Sequence, residues 1–287
     1  MKSGVQVAGV GLLTGWGTGV AALPEEACTA AAGRVVLPMA RPPLKAERFR
    51  RATRECLLGV EAVREALADA GLNRAAIQGQ GTALLFVTAG AYGSSNAEFI
   101  GPNAASRIRA QPGLAEERVG SARTLHFPYT APSALSGEVA IEFGVTGAYV
   151  ILIGGATATI DALWQAGLLL SQGRCEHALV LVVETFEECE ALWRRARWTL
   201  PPPLVESAAC ALLVPGDAPA VYRAAAAAGP LEAAVERRAG RTLAAAPLAA
   251  LALARAVGEP LAQLTGSWRG RTAGIQLAVA STRAAGV

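Results

Sequence analysis

The residue types that carry most protein chemistry are scarce in this chain. Among 287 residues there are two histidines, His126 and His177, and three aspartates, Asp69, Asp161 and Asp217. A metal centre built on several imidazoles, or an aspartate-rich magnesium site, has almost nothing to draw on, and no metal or other cofactor is expected. His126 stands before a Phe-Pro turn and His177 opens an apolar run; both read more simply as capping or hydrogen-bonding groups than as general bases. The five cysteines, Cys28, Cys56, Cys175, Cys189 and Cys210, include no CxxC pair. That spacing argues against a zinc ribbon or a redox dithiol, and for reduced thiols packed as small apolar groups. Cys189 sits among Glu187, Glu188 and Glu190, whose charges raise a thiol's pKa, whereas Cys175 follows Arg174 and is better placed electrostatically. The opening, Val5 to Gly17, contains a Gly-x-Gly of the kind found in dinucleotide sites. The next apolar run, Val35-Val36-Leu37-Pro38, brings no βαβ unit with a ribose-binding acid, so that reading is set aside.

Composition narrows the class further. The net charge of +3 is small and the arginines are dispersed, which disfavours nucleic acid as a partner and suits an acidic protein. Apolar residues make up 52% of the chain, enough for one large core or two fused ones. None of the apolar stretches reads as an uncharged span of the ~20 residues a membrane helix needs. Met1 to Val10 lacks the basic start and apolar run of a secretory signal, so a cytoplasmic location is expected.

The elements that must position any site follow from periodicity. Val5 to Gly11 reads as a buried strand running into a glycine-rich turn through Gly17. From Arg50 to Leu72, apolar Cys56, Leu57, Val60, Val63, Leu67 and Ala70 recur at helical spacing, with an end near Gly71. Thr82 to Thr88 is a continuous apolar run of the kind buried in a parallel sheet. A helix over Pro132 to Phe143 should close at Gly144, where glycine can take the left-handed conformation. A strand, Tyr149 to Ile153, then turns at Gly154-Gly155 into a helix over Ala156 to Gln172. His177 to Val183 is another buried strand. After Glu184 the pattern changes: Phe186 to Pro203 reads as a surface excursion ending in Pro201-Pro202-Pro203. Ala208 to Val214 restarts a strand, two alanine-rich helices flank Gly240, and Ala273 to Ala280 closes the chain as a strand. The alternation specifies an α/β fold with a largely buried sheet, divided near residue 203.

In this order the segments resemble a known family. The opening strand with its Gly-x-Gly, the basic start of the first helix (Arg50-Arg51-Ala52-Thr53-Arg54) and His126-Phe127-Pro128-Tyr129-Thr130-Ala131-Pro132-Ser133 are similar to the first half of β-ketoacyl-acyl carrier protein synthases. Glu142-Phe143-Gly144-Val145-Thr146-Gly147-Ala148-Tyr149 looks like their FG-x-x-GP motif. Gly266 to Val279 resembles their closing glycine-rich turn and strand. The resemblance implies a thiolase-like fold with two related αβαβα halves, residues 1–203 the ketosynthase-like N-terminal half and 204–287 a shortened C-terminal half. In the family the condensing cysteine starts the helix after the Tyr149–Ile153 strand, where free amides and the helix dipole stabilise thiolate. That position here is Ala156, in Ile153-Gly154-Gly155-Ala156-Thr157. The two family histidines would fall near Ala245 and Gly274, and the sequence has no histidine after His177.

The resemblance therefore implies a chain length factor: a cysteine-less partner that forms a heterodimer with a catalytically active ketosynthase and shapes the acyl tunnel, with acyl groups delivered on an acyl carrier protein. It implies an interface along Tyr149, Ile151 and Ile153. It also implies a tunnel wall at Ser95, Glu98, Phe99 and Pro102, spaced to share one helical face. The competing readings are an acyltransferase or decarboxylase that uses another nucleophile, such as Thr157 or Thr159, and a structural homodimer without a tunnel.

Overall fold

The computed structural model of the chain describes residues 4–44, 47–50, 52–90, 130–185, 203–224 and 227–280. The strands among them are β1 (Gly4–Thr14), β2 (Gly17–Thr18), β3 (Val36–Leu37), β4 (Thr82–Thr88), β5 (Tyr149–Ile153), β6 (His177–Glu184), β7 (Leu204–Val205), β8 (Ser207–Gly216), β9 (Val221–Ala224), β10 (Leu261–Trp268) and β11 (Arg271–Val279). The α-helices are α1 (Ala27–Ala31), α2 (Arg54–Ala70), α3 (Pro132–Phe143), α4 (Ala156–Ser171), α5 (Pro230–Ala239) and α6 (Ala246–Ala256). One nine-stranded mixed sheet runs in the order β10-β11-β1-β8-β6-β4-β5, with β2 paired to β1 and β9 to β11. The strands β4, β5 and β6 are parallel, β8 is antiparallel to both β6 and β1, and β11 lies parallel to β1.

Apolar runs without alternation arise because both faces of this sheet are covered. Successive side chains point to opposite faces. Leu85, Val180, Val182, Ala209 and Ala211 accordingly pack with α4 and α6, while Leu84, Phe86, Leu179, Leu181 and Cys210 pack with α2 and α3. The strands β4 and β5 and the helix α3 fall where periodicity puts them, and α3 closes at Gly144 with φ 68°. The helix α2 is shorter than its basic flank suggests, beginning at Arg54 and closing at Gly71 with φ 66°.

The structure corrects two expectations. First, β1 continues to Thr14, so Leu12 to Thr14, expected in the glycine-rich turn, belong to the same strand as Gly9 and Gly11. A Cβ at either would run into the α2 backbone, at Ala66 O and Ala62 O respectively; these glycines allow close helix-to-sheet packing. Strands from either side of residue 203 share the sheet, since β8 is held on one edge by β1 and on the other by β6. Second, Gly266 belongs to β10, paired with Ala273, and the turn comes later, at Arg269 and Gly270. Positive φ at these two residues, 48° and 80°, gives the two-residue connection that suits the right-handed twist of a hairpin.

One polar tie joins the two ends of the chain across this core. Arg255 on α6, 5% exposed, donates to Asp69 Oδ2 at 2.5 Å, to Asp69 O at 3.2 Å and to Ala280 O at 2.6 Å. The same carboxylate oxygen accepts from Val10 N at 2.8 Å, next to the irregularity between Val7 and Gly9 in β1. No helix among the described residues is long and apolar enough to cross a membrane. Because removing the carboxylate leaves a buried guanidinium without its anion, Asp69→Ala should cost about 3 kcal/mol of stability. Urea unfolding measures this, with a lower midpoint and an unchanged slope as the expected outcome.

Candidate functional site

The start of α4 is where the chemistry expected from the sequence would sit. The strand β5 ends at Ile153, Gly154 N donates to Thr88 O at 2.8 Å, and the helix begins at Ala156, which is 5% exposed. This places Ala156 at the carboxyl ends of the parallel strands β4, β5 and β6, the edge at which open α/β sheets form their ligand crevices. Its side chain is a methyl group and cannot form a thioester.

Three further segments converge on this point. The turn Leu243–Ala245 is tied to the first turns of α4 by Thr159, whose hydroxyl donates to Ala244 O at 2.6 Å. Glu184, at the end of β6 and fully buried, accepts through Oε1 from Ala89 N at 3.0 Å and Ala244 N at 3.1 Å. One carboxylate oxygen thus fixes the end of β4 to the turn that carries Ala245. Leu243 holds a left-handed backbone, φ 51°, which costs a branched residue energy and is sustained by these ties. The third segment is the β10–β11 hairpin. A Cβ at Gly266 would lie 2.5 Å from Ala156 O, and one at Gly155 would overlap Cδ2 of the Trp268 indole. Trp268 therefore rests on the residue immediately before the helix, and the Arg269 guanidinium lies 5.8 Å over its ring.

The other sequence-selected residues are distributed as follows. Ala245 is buried in the turn tied to α4. Gly274 pairs with Thr265, whereas Gly266 pairs with Ala273, so Gly274 is on the hairpin face turned away from Ala156. His177 is the first residue of β6 and lies at the opposite end of that strand from Glu184, roughly 23 Å away at ~3.3 Å per residue. Burial pushes its pKa down against the opposing pull of Glu176. Cys175, the better-placed thiol on sequence grounds, is buried, and burial raises its pKa more than the Ala83 backbone and Arg174 lower it. Burial also pushes the Cys56 thiol up to about 12 and raises that of Cys210. Thr159 has its proton committed to a carbonyl. No group of three or more candidate metal ligands occurs among the described residues.

Tyr149, Ile151 and Ile153 share the α3-side face of β5, which among the described residues pairs with β4 alone. Tyr149 is 45% and Ile153 61% exposed, and Tyr149 OH meets Ser136 Oγ at 2.6 Å. Ile151 packs partly into the α2–α3 cluster. Ser95, Glu98, Phe99, Pro102, His126 and Cys189 lie outside the described residues. Sequence reading missed Trp268, Glu184 and the two packing glycines, Gly155 and Gly266. The period-2 alternation of Ala262, Leu264, Gly266 and Trp268 with Gln263, Thr265 and Ser267 was the available signal for the hairpin.

Comparison with known proteins agrees with this geometry. The family model for the β-ketoacyl synthase N-terminal domain matches residues 42–200. No curated protein sequence matches the chain. Among solved structures, a type II polyketide synthase acyl-carrier protein in complex with its ketosynthase bound to the hexaketide (AntDE:AntF) aligns with a TM-score of 0.70 at 13% identity, covering 97% of this chain and 99% of that one. The ishigamide ketosynthase/chain length factor aligns at 0.65 with 18% identity, over 96% and 100% of the two chains. The PfaC ketosynthase-chain length factor aligns at 0.66 with 12% identity, over 97% of this chain and 43% of that one. At these identities the structural likeness is one of fold, the thiolase-like ketosynthase fold. With more than half of its length matched by the family model and its helix start at the carboxyl edge of the parallel strands, the chain belongs to the β-ketoacyl synthase family.

Proposed function

We propose that this chain is a non-catalytic ketosynthase-like subunit, a chain length factor, that forms a heterodimer with an active ketosynthase and shapes its acyl tunnel. The observation that carries this reading is the methyl group of Ala156 at the helix start where relatives carry the condensing cysteine, in a sequence with no histidine after His177. The partner then supplies the cysteine and both histidines, and an acyl carrier protein delivers the acyl groups. Two solved neighbours named as ketosynthase/chain length factors support the pairing, and the complex of a carrier protein with its ketosynthase supports the delivery. The division at 203 into an N-terminal half and a C-terminal half belongs to the same proposal, with β8 completing the sheet of the first half. A cytoplasmic location is part of it too. The reading in which Thr159 replaces the cysteine is opposed by the hydrogen bond that already takes its hydroxyl proton.

The edge strand β5 supports an interface. An edge presents unpaired N–H and C=O groups, and one that exposes Tyr149 and Ile153 invites a second chain. An obligate interface of this kind buries more than ~2,000 Å². Ile153 is a cleaner probe than Ile151, because Ile151 also packs into the core and its replacement by aspartate would damage the fold itself. Co-expressed with a cysteine-bearing ketosynthase, the chain should purify as a one-to-one complex. Ile153→Asp should abolish that complex while leaving the circular dichroism spectrum unchanged. Full recovery of the complex with the variant would place the interface elsewhere, and a homodimer indifferent to the ketosynthase would favour the structural reading.

A tunnel wall at Ser95, Glu98, Phe99 and Pro102 is proposed on the sequence alone. In the reconstituted pair, a bulky residue at Ser95 should shorten the product, and Phe99→Ala or Glu98→Leu should lengthen it. Chromatographic product lengths measure this, and an unchanged distribution for all three with the complex intact removes these residues from the wall.

A further inference from the structure

We infer that Trp268 is a built-in cover over the start of α4, so that this subunit holds no acyl thioester at position 156 even when a thiol is supplied there. The inference rests on reading Ala156 as the position where relatives carry the acyl group, and it adds a second barrier independent of the missing cysteine. The indole lies against Gly155 so closely that a Cβ there would overlap its Cδ2. The hairpin that carries it cannot readily swing away. Gly266 brings β10 onto Ala156 O, where a Cβ would lie 2.5 Å from that oxygen. The Trp268↔Arg271 pair and the tight turn between them fix the end of the hairpin, and β11 is bound on its other edge to β9 and β1. Arg269 stacks on the ring from the turn side. An acyl carbonyl must reach the space over the first-turn amides of α4 to be held there, and the approach past Gly155 is taken by the ring.

The test compares Ala156→Cys with Ala156→Cys/Trp268→Ala, each incubated with the octanoyl thioester of N-acetylcysteamine. Acylation requires the Cys thiolate to attack the carbonyl carbon. A new C–S bond forms, the bond to N-acetylcysteamine breaks, and the departing thiolate takes up the proton released by the cysteine. Peptide mapping by mass spectrometry places the adduct, which separates position 156 from the exposed Cys28. The double variant should be octanoylated at 156 about tenfold faster or more, because access limits a buried thiol. Equal rates, or no adduct in either protein while both melt cooperatively, would overturn the cover. A second measurement covers the case in which the double variant does not fold. Gly155→Ala should lower the melting temperature of the otherwise native chain and have no such effect in a Trp268→Ala background, because the added methyl then meets no indole. A Gly155→Ala protein that melts like its parent would also overturn the inference. Neither readout involves the partner ketosynthase, so failure to co-purify with one would count against the proposed function and leave the cover standing.

Discussion

Two absent side chains allow the closing hairpin to lie directly on the start of α4. Without a Cβ at Gly155 and at Gly266, the indole of Trp268 and the backbone of β10 reach the helix where any larger residue would hold them off. From that contact the sheet is continuous: β10 pairs with β11, β11 with β1, β1 with β8, and β8 with β6. At the end of β6, Glu184 ties β4 back to the turn that carries Ala245. A displacement of the hairpin would therefore be felt through hydrogen-bonded neighbours as far as the edge strand β5. Close-packed interiors transmit such strain because they contain few voids to absorb it.

A helix N-terminus offers free amides and a partial positive charge, the setting that makes a cysteine reactive. Here the same amides start a helix whose first residue is alanine, and the hydroxyl of Thr159 serves a backbone carbonyl. The polar groups around the helix start are spent on holding segments together. Glu184 takes two backbone amides, and the cysteines with resolved shifts carry raised pKa values. At the sheet edge, Tyr149 and Ile153 are exposed on a strand that among the described residues pairs with β4 alone. In the proposed pairing, that edge is where the chain meets the subunit that performs the chemistry.

Much of this was legible in the sequence, for identifiable reasons. Thr82–Thr88 is buried along its whole length and Tyr149–Ile153 is apolar although its ends are exposed, so an unbroken apolar run marks both strands, and Gly144 ends α3 because a left-handed cap leaves a recognisable residue. The position of Ala156 follows from the Gly154-Gly155 turn. Other features depend on who packs against whom. Why positions 9 and 11 are glycine shows only when the α2 backbone is seen lying against them. Gly266 suggested a turn, and it hid the alternation of β10. The boundary near 203 follows from a proline run, and strands from both sides of it share one sheet. The electrostatic advantage assigned to Cys175 from its neighbour Arg174 disappears with burial, a property that local sequence does not report. Trp268 carried no signal of its own, because a tryptophan next to an arginine in a turn is common on surfaces.

The central claim is that acyl chemistry in the assembled pair belongs to the partner. Intact-mass analysis of the complex between this chain and a cysteine-bearing ketosynthase, after incubation with an acyl-carrier thioester, tests it most directly. The account predicts one acyl group on the ketosynthase and an unmodified mass for this chain. An acyl adduct on this chain, in the complex or alone, would contradict it.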